Sequence, residues 1–282
     1  MNIIFAQPNY PVGPKHLKNY YLPYSVGCLW AYCKQFDEIR HNCNVIDWIY
    51  SRESISLICD RHAVVDVLFC SVYIWNENYC RRLSQEVKDR WPGCKVIWGG
   101  PQVDHNNPDV FASKPYVDIV CVSEGEITTK EILESFLNNK SYSSISGTVA
   151  NSNLKPIVNP ARARTDISQF PSPYISGVFD DLVENNSEVS WSATLETNRG
   201  CPYGCTYCDW GSLTSSKIKK FAMDKVKAEI DWVCENNVTW LTVADANFGI
   251  FQERDYEIAK YLTKANAKHD RLDGVTITTL KN

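Results

Sequence analysis

The sequence has no apolar run near the roughly 20 residues that a membrane-spanning helix needs, and its opening stretch, MNIIFAQPNY, is too short and too uncharged for a signal peptide. It also has no excess of basic residues. Against 29 Lys and Arg stand 33 Asp and Glu, which gives a formal charge of −4 with the two signs interspersed. We therefore expect a cytoplasmic protein that binds neither a membrane nor a nucleic acid.

Cysteine, in contrast, is abundant, with 12 in 282 residues. A chain of this length without an export signal uses cysteines more often as buried thiols or metal ligands than as disulfides. Eight of them are spread singly through the first half, where we expect them to be small buried side chains. These are Cys28, Cys33, Cys43, Cys59, Cys70, Cys80, Cys94 and Cys121.

The first half, residues 1–145, has the pattern of an α/β domain with a Rossmann-like, doubly wound parallel sheet. Short apolar runs rich in β-branched residues alternate with amphipathic helical stretches, as βαβ units require. Helices are predicted at 77–91 and 126–139. Strands are predicted at 2–6, 44–48, 64–71, 95–98 and 117–122.

The segments that follow the predicted strands are candidates for a binding site, because ligands of an open sheet bind beyond the carboxyl ends of its strands. SVYIWN follows the third strand, GGPQV the fourth and SEGE the fifth. Paired glycines allow the backbone to approach a bulky ligand closely. The alternative interpretation is a set of tight strand-to-helix turns with capped helix starts.

The second half is predicted to be a connector at 146–190 followed by part of a parallel (β/α) barrel at 191–282. The connector is rich in proline and has no helical period, although 147–158 fits a small hairpin. Barrel strands are predicted at 192–197, 238–243 and 274–279, with helices at 223–235 and 253–264. The chemistry of such a barrel lies at the carboxyl ends of its strands.

Three cysteines, Cys201, Cys205 and Cys208, follow the first barrel strand as C-x3-C-x2-C. Zinc is the rival metal, but a structural zinc site has four closed ligands, and only Cys234 and His269 follow the loop. A 4Fe-4S cluster normally takes one thiolate per iron, so three thiolates leave one iron open to an exogenous ligand. The triplet therefore predicts a 4Fe-4S cluster with an open iron.

The cysteine loop resembles the C-x3-C-x-aromatic-C motif of the radical SAM enzymes, with Tyr207 at the aromatic position. The resemblance implies that the open iron binds S-adenosylmethionine and that Tyr207 lies near its adenine. It also implies that one electron, from an external low-potential donor, cleaves S-adenosylmethionine to methionine and a 5′-deoxyadenosyl radical. Asp245 and Asn247 match positions that contact the amino group of S-adenosylmethionine in the family, and a helix N-cap with a turn is the alternative.

The flanking sequence resembles the cobalamin-binding subgroup of radical SAM enzymes. The matching segments are Gly99-Gly100, Ser123-Glu-Gly-Glu126, Phe170-Pro-Ser-Pro173 and Glu196-Thr-Asn-Arg199. In that subgroup the N-terminal domain holds cobalamin, and the two cofactors often transfer methyl groups. The resemblance implies that the residues around the corrin are Ser71, Tyr73, Gly99, Gly100, Glu124 and Gly125.

One part of the cobalamin-binding pattern is missing. Many such domains have Asp-x-His-x-x-Gly after the first strand, and this chain has QPNYPVGPKH there. The implied cobalamin therefore has no histidine ligand from the protein, and His16 is interpreted as an exposed loop residue. For Arg199, a role beside the cluster and an ion pair with Glu196 both stay open.

The barrel pattern extends over about three strands, whereas radical SAM barrels usually have six or more. We therefore expect a truncated barrel or a partner chain that completes it. The alternative functions are a non-catalytic or split-enzyme corrinoid-binding module and a methylthiotransferase-like radical SAM enzyme, which would bring a second cysteine triplet. The sequence identifies neither the small-molecule substrate nor the residues that act on it.

Overall fold

The computed structural model describes residues 1–12, 18–163, 165–206, 208 and 218–279. The chain divides into two compact units. One consists of Met1–Tyr10 and Ser25–Arg164, and the other of Pro11–Tyr24 and Thr165–Asn282. Within the described ranges, no helix is long and apolar enough to cross a membrane.

Strands and helices are numbered along the chain. The strands are β1 (Asn2–Asn9), β2 (Asn19–Tyr21), β3 (Asn44–Ser51), β4 (Val67–Ser71), β5 (Lys95–Gly99), β6 (Ile119–Cys121), β7 (Thr148–Ser152), β8 (Lys155–Val158), β9 (Ser190–Leu195), β10 (Asn198–Arg199), β11 (Lys219–Lys220), β12 (Val238–Phe248) and β13 (Gly274–Thr279). The helices are α1 (Tyr24–Cys33), α2 (Asp37–Asn42), α3 (Ile55–Asp60), α4 (Glu77–Arg90), α5 (Val110–Ser113), α6 (Glu126–Leu137), α7 (Asp180–Glu184), α8 (Met223–Glu235) and α9 (Gln252–His269).

The first unit is built on a seven-stranded sheet in the order β3-β1-β4-β5-β6-β7-β8. The pairs from β3 to β6 are parallel, and the β7–β8 hairpin adds two antiparallel strands at one edge. The chain crosses to one side of β1 for β3 and to the other side for β4, so the strand order reverses at β1 and β4. The predicted doubly wound parallel sheet is confirmed, and its switch point is where an open α/β sheet binds its ligand.

Both faces of this sheet are covered by helices, because its strands carry apolar side chains on both sides. Helices α3, α4 and α5 pack on one face, where Trp98 and Leu83 are completely buried. Helices α1, α2 and α6 pack on the other face, around Phe5 and Ile132. Of the eight scattered cysteines, seven are buried, and Cys121 is half-buried.

The second unit contains a four-stranded parallel sheet in the order β13-β12-β9-β2. Helix α8 follows β9 along the chain and α9 follows β12, as βα repeats require. On α8, Val226, Ile230 and Val233 share one face of the helix and are buried. This arrangement is consistent with the predicted partial barrel.

Two features of the second unit differ from the sequence prediction. Strand β2 lies in a segment for which no strand was predicted, and it pairs with β9 through backbone and through Asn19, whose amide oxygen accepts from the Ser192 hydroxyl at 2.7 Å. Strand β12 continues to Phe248 instead of ending at Val243, with a register shift against β13 in the added part. Asp245 and Asn247 therefore lie within a strand and not after it.

Candidate functional site

The cysteine loop begins just beyond the carboxyl end of β9. Its first residues form β10, which pairs antiparallel with β11 at the far end of the loop. The Phe221 N–H donates to the Thr197 carbonyl at 3.0 Å, which adds a further bond between the two ends. Gly200 has φ 113°, a left-handed conformation that only glycine adopts easily. The three cysteines thus lie on one loop whose two ends are tied together.

The three thiols of the loop differ in exposure. Cys201 is buried, Cys208 is half-buried and Cys205 is exposed, and the Cys208 N–H donates to the Cys205 carbonyl at 3.1 Å. Among the described residues, no three His, Cys, Asp or Glu side chains converge to hold a metal ion. The structure therefore places the three predicted ligands on one short loop without gathering their sulfur atoms.

The donor set of this loop fits an iron–sulfur cluster better than zinc. Three thiols within eight residues supply the three ligands of a cluster with one open iron. The two candidates for a fourth zinc ligand, Cys234 and His269, lie on helices and not on the loop. Cys234 is completely buried on α8, where burial raises its pKa to about 11, and His269 lies 3.9 Å from the Glu235 carboxylate at the end of α9.

Asp245 ties β12 to Thr197 and Asn198, which form the root of the cysteine loop where the chain leaves β9. Its carboxylate accepts hydrogen bonds from the backbone N–H groups of Thr197 and Asn198 at 2.8 and 3.2 Å. It also accepts from the Thr197 hydroxyl and the Asn198 amide. Burial raises the pKa of Asp245 to about 6, although these donors act in the opposite direction. The carboxylate is thus engaged by the protein itself.

Arg254 strengthens the same root from α9. Its guanidinium donates to the hydroxyl and the carbonyl of Thr197, both at 3.1 Å, and to the Phe221 carbonyl at 2.8 Å. One side chain therefore holds both ends of the cysteine loop. Arg254 was not predicted as a site residue, because a single arginine in the first turn of a helix has no distinctive sequence pattern.

Asn247 lies two residues beyond Asp245, on the same face of β12, and is buried. Its side-chain amide donates to the Sγ atom of Cys201 at 3.2 Å. The structure thus brings Asn247 together with one of the predicted cluster ligands. Tyr207, the third residue predicted to contact S-adenosylmethionine, lies outside the described residues.

Arg199 forms an ion pair with Glu196 at 3.0 Å. Its guanidinium also lies over the rings of Phe170 and Phe221, with centroids at 5.4 and 5.6 Å. The carboxylate of Glu196 accepts a further hydrogen bond from the Tyr24 hydroxyl at 3.3 Å. Of the two roles left open for Arg199, the structure shows the ion pair.

The residues predicted around a corrin lie at the carboxyl ends of β4, β5 and β6 in the first unit. Ser71 and Gly99 are register partners at the ends of β4 and β5, and Tyr73 and Gly100 follow them. Glu124 and Gly125 are half-buried between β6 and α6. The structure therefore gathers the first four at adjacent strand ends and places the last two after the next strand. His16 lies outside the described residues.

The turn after β4 is held by Asn76, the last residue of SVYIWN, for which no role was predicted. Its side chain is completely buried, accepts from the Tyr73 N–H at 2.8 Å and donates to the Ser71 carbonyl at 3.0 Å. These bonds replace the ladder partners that β4 loses where it ends. Asn76 thereby fixes the conformation of Ser71 and Tyr73.

An aromatic patch lies at the switch point between β1 and β4. Tyr73 and Trp75 stack with ring centroids 4.5 Å apart, and the Trp75 indole N–H donates to the Asn9 side chain at 3.0 Å. Three apolar side chains of this edge are exposed: Tyr10 by 57%, Ile74 by 77% and Trp75 by 46%. Exposed apolar patches on a protein surface commonly mark binding sites.

Of the two adjacent glycines, Gly99 ends β5 and Gly100 serves the turn that follows it. A Cβ atom on Gly100 would lie 2.5 Å from the Val72 carbonyl oxygen, and its φ of 104° is left-handed. A Cβ on Gly99 would make an ordinary contact with Cys121 at 3.5 Å. The space beside Gly100 is therefore occupied by the protein's own backbone, which supports the alternative interpretation of a tight turn at that position.

No family model matches the chain. Over 266 residues it is 34% identical to the cobalamin-dependent radical SAM methyltransferase TokK of Streptomyces tokunonensis, and the match covers 93% of this chain and 39% of TokK. It is 35% identical over 251 residues to the 2-(S-pantetheinyl)-carbapenam-3-carboxylate methyltransferase of Streptantibioticus cattleyicolor, covering 88% of this chain and 37% of the relative. The chain thus spans about two fifths of the length of these curated relatives.

Two solved structures share the fold. The methyltransferase TsrM from Kitasatospora setae, solved with cobalamin and a 4Fe-4S cluster bound, matches with a TM-score of 0.68 at 14% identity, over 96% of this chain and 53% of TsrM. The cobalamin-dependent radical enzyme OxsB, solved with aqua-cobalamin and S-adenosylmethionine, matches with a TM-score of 0.67 at 16% identity, over 97% of this chain and 38% of OxsB.

Proposed function

The chain belongs to the radical SAM superfamily, in the subgroup with an N-terminal cobalamin-binding-type domain, and from this premise we propose that it binds a 4Fe-4S cluster, S-adenosylmethionine and cobalamin for methyl transfer to a small molecule. The observation that carries the proposal is the cysteine loop at the carboxyl end of β9, with its root fixed by Asp245. When bound, the cluster supplies the electron that cleaves S-adenosylmethionine, and cobalamin supplies a methyl carrier.

The roles that we propose for the second unit follow from its contacts. Cys201, Cys205 and Cys208 hold the cluster, and the bonds between the loop ends keep the three thiolates near the carboxyl end of β9. The contact of Asp245 with S-adenosylmethionine stays a prediction. The carboxylate of Asp245 already accepts four hydrogen bonds from Thr197 and Asn198, which favours a role in holding the loop. Asp245 acts chiefly by positioning the loop.

For the first unit, we propose that cobalamin binds at the switch point of β1 and β4. A corrin is broad, flat and largely apolar, and the exposed patch of Tyr10, Ile74 and Trp75 offers a matching surface. Ser71, Tyr73, Gly99 and Gly100 lie along the same edge, and Glu124 and Gly125 complete the proposed set. No histidine of the chain is assigned to cobalt.

The substrate is proposed by class alone. The name of the second relative describes a small carboxylate that carries a pantetheinyl thioether, and we propose a small-molecule methyl acceptor of comparable polarity. An external low-potential electron donor is part of the proposal, and completion of the barrel by a partner chain stays a prediction.

The methylthiotransferase alternative is not favoured by the scattered cysteines. They lie singly on or next to strands and helices, and burial raises the pKa of Cys43 to about 11 and that of Cys94 to about 12. Thiols of this kind stay protonated and are poor cluster ligands.

The substitution Ile74→Asp tests the cobalamin site, because Ile74 is 77% exposed and can be replaced without disturbing the core. A carboxylate buried under an apolar ring costs free energy, so the Kd for hydroxocobalamin is expected to rise about tenfold or more. The measurement is a titration of the full chain followed by visible absorption. Val158→Asp is the matched control, since Val158 is 71% exposed on β8, an edge strand that four places in the strand order separate from β4.

The two variants give distinct outcomes. Weaker cobalamin binding by Ile74→Asp, together with unchanged binding by Val158→Asp, supports the proposed cobalamin site at the switch point. Equal affinity in both variants and in the wild type would place cobalamin elsewhere, and absence of binding in all three would remove cobalamin from the proposed function.

A further inference from the structure

Within the part of the loop that the structure describes, Cys201 is the thiol with a fixed side-chain partner. It is buried, and the side-chain amide nitrogen of Asn247 lies 3.2 Å from its sulfur. Asn247 is itself only 8% exposed, so this contact is shielded from solvent. Hydrogen bonds in such surroundings are electrostatically stronger than in water.

The backbone around Asn247 is held in one conformation, which makes the contact preorganised. The Ile250 N–H donates to the Asn247 carbonyl at 3.3 Å, which closes a turn. The buried carboxylate of Asp255 accepts from the N–H groups of Gly249 and Phe251 at 2.7 and 3.1 Å. Because Asp245 fixes the loop root two residues earlier, both partners of the Asn247–Cys201 contact are anchored to β12.

The chemistry of a thiolate decides which end of the Asn247 amide faces it. A thiolate is an acceptor only, whereas the amide has a donor nitrogen and an acceptor oxygen. The observed orientation, with nitrogen toward sulfur, is therefore attractive for a ligated thiolate, and the flipped one would be repulsive. We propose that Asn247 donates this hydrogen bond to cluster-bound Cys201 and thereby raises the reduction potential of the cluster.

The proposed effect follows from charge. Reduction adds one electron to the cluster and its thiolates, and a donor at sulfur stabilises the more negative state. Asn247 is thus a positioning and tuning residue, and it does not need to contact the reacting atoms. The inference rests on the cluster of the proposed function.

The test is an EPR-monitored redox titration of the reconstituted full chain, comparing the wild type with Asn247→Leu. Leucine has a similar volume and no donor. At the midpoint potential of the wild type, the ratio of reduced to oxidised cluster in Asn247→Leu is expected to fall by a factor of about 2 to 10, as loss of one hydrogen bond predicts. Thr242→Val is the control, because it removes a hydroxyl of the same strand that bonds Tyr21 instead of a cysteine.

The outcomes separate this inference from the proposed function. The inference is supported if Asn247→Leu has wild-type iron content and a lowered ratio of reduced to oxidised cluster, while Thr242→Val keeps the wild-type ratio. An unchanged ratio in Asn247→Leu overturns it. A wild-type chain that assembles no cluster would instead refute the function on which the inference rests.

A second measurement decides the case in which Asn247→Leu assembles no cluster. In wild-type protein labelled with nitrogen-15 at the asparagine side-chain amides, pulsed EPR of the reduced cluster should detect one coupled amide nitrogen. The other asparagine amide near the loop root, that of Asn198, bonds to Asp245 and not to sulfur. Absence of the coupling overturns the inference.

Discussion

Cys205→Ala is expected to lose the 4Fe-4S cluster while the first unit stays folded. Each thiolate ligand holds one iron of the cluster, and no other cysteine of the second unit can replace Cys205, since Cys234 is completely buried on α8. Iron and acid-labile sulfide should fall from about four each per reconstituted wild-type chain to well below one. Circular dichroism monitors the fold.

Cys234→Ala is the matched control for this variant, because it removes the one thiol of the second unit outside the triplet and is expected to retain full iron and sulfide. Retention of full iron and sulfide by Cys205→Ala would contradict the assignment of the cysteine loop. One bound zinc per wild-type chain, in place of iron and sulfide, would revive the zinc interpretation.

Asp245→Ala is expected to destabilise the second unit by about 2–4 kcal/mol. The variant leaves the buried N–H groups of Thr197 and Asn198 without their acceptor, and each lost partner costs about 1–3 kcal/mol. Relief of the buried charge offsets part of this cost. Urea unfolding at pH 7 measures the difference, with Thr242→Val as a control that loses one hydroxyl of β12.

The same residue gives the stability a pH dependence. Burial raises the pKa of Asp245 to about 6, above the value of about 3.9 expected in the unfolded chain. The folded state therefore binds this proton more tightly, and the contribution of Asp245 to stability is largest below about pH 4 and falls as the pH rises to 6. Asp245→Asn lacks this titration, so wild type and variant should differ in slope between pH 4 and 6. Parallel pH profiles would contradict the assignment.

The sequence predicted the parallel sheet of the first unit well because its strands are short apolar runs buried on both faces. The strand β2 was missed for the opposite reason. It is three residues long, carries polar and aromatic side chains, and pairs with β9, whose residues lie far away in sequence. Local pattern contains no information about such a pairing.

The part of the site whose chemistry demands particular residues was predictable from the sequence. The residues whose roles depend on contacts with distant parts of the chain were less predictable. The triplet of cysteines is visible from spacing alone. In contrast, the end of β12 was placed too early, because Asp245 and Asn247 are polar and polar residues usually mark a loop. In the structure they are buried within a strand since their partners, Thr197, Asn198 and Cys201, come from the adjoining loop. Arg254 and Asn76 act in the same way, through backbone groups that a sequence does not place.

The interpretation of Gly99 and Gly100 shows a second limit of sequence reasoning. Glycine pairs beside a ligand edge and glycine pairs in a tight turn look alike. At Gly100, a Cβ atom would collide with the Val72 backbone, which favours the tight turn at that position. A ligand at this edge would meet exposed side chains such as Ile74 and Trp75.

The central claim, that the cysteine loop carries a cluster with an iron open to S-adenosylmethionine, is tested most directly by EPR of the reconstituted, dithionite-reduced chain. The spectrum is recorded before and after addition of S-adenosylmethionine. We predict a 4Fe-4S signal whose g values change when the cofactor binds the open iron. A cluster signal that S-adenosylmethionine leaves unchanged, or no cluster signal at all, would contradict the claim.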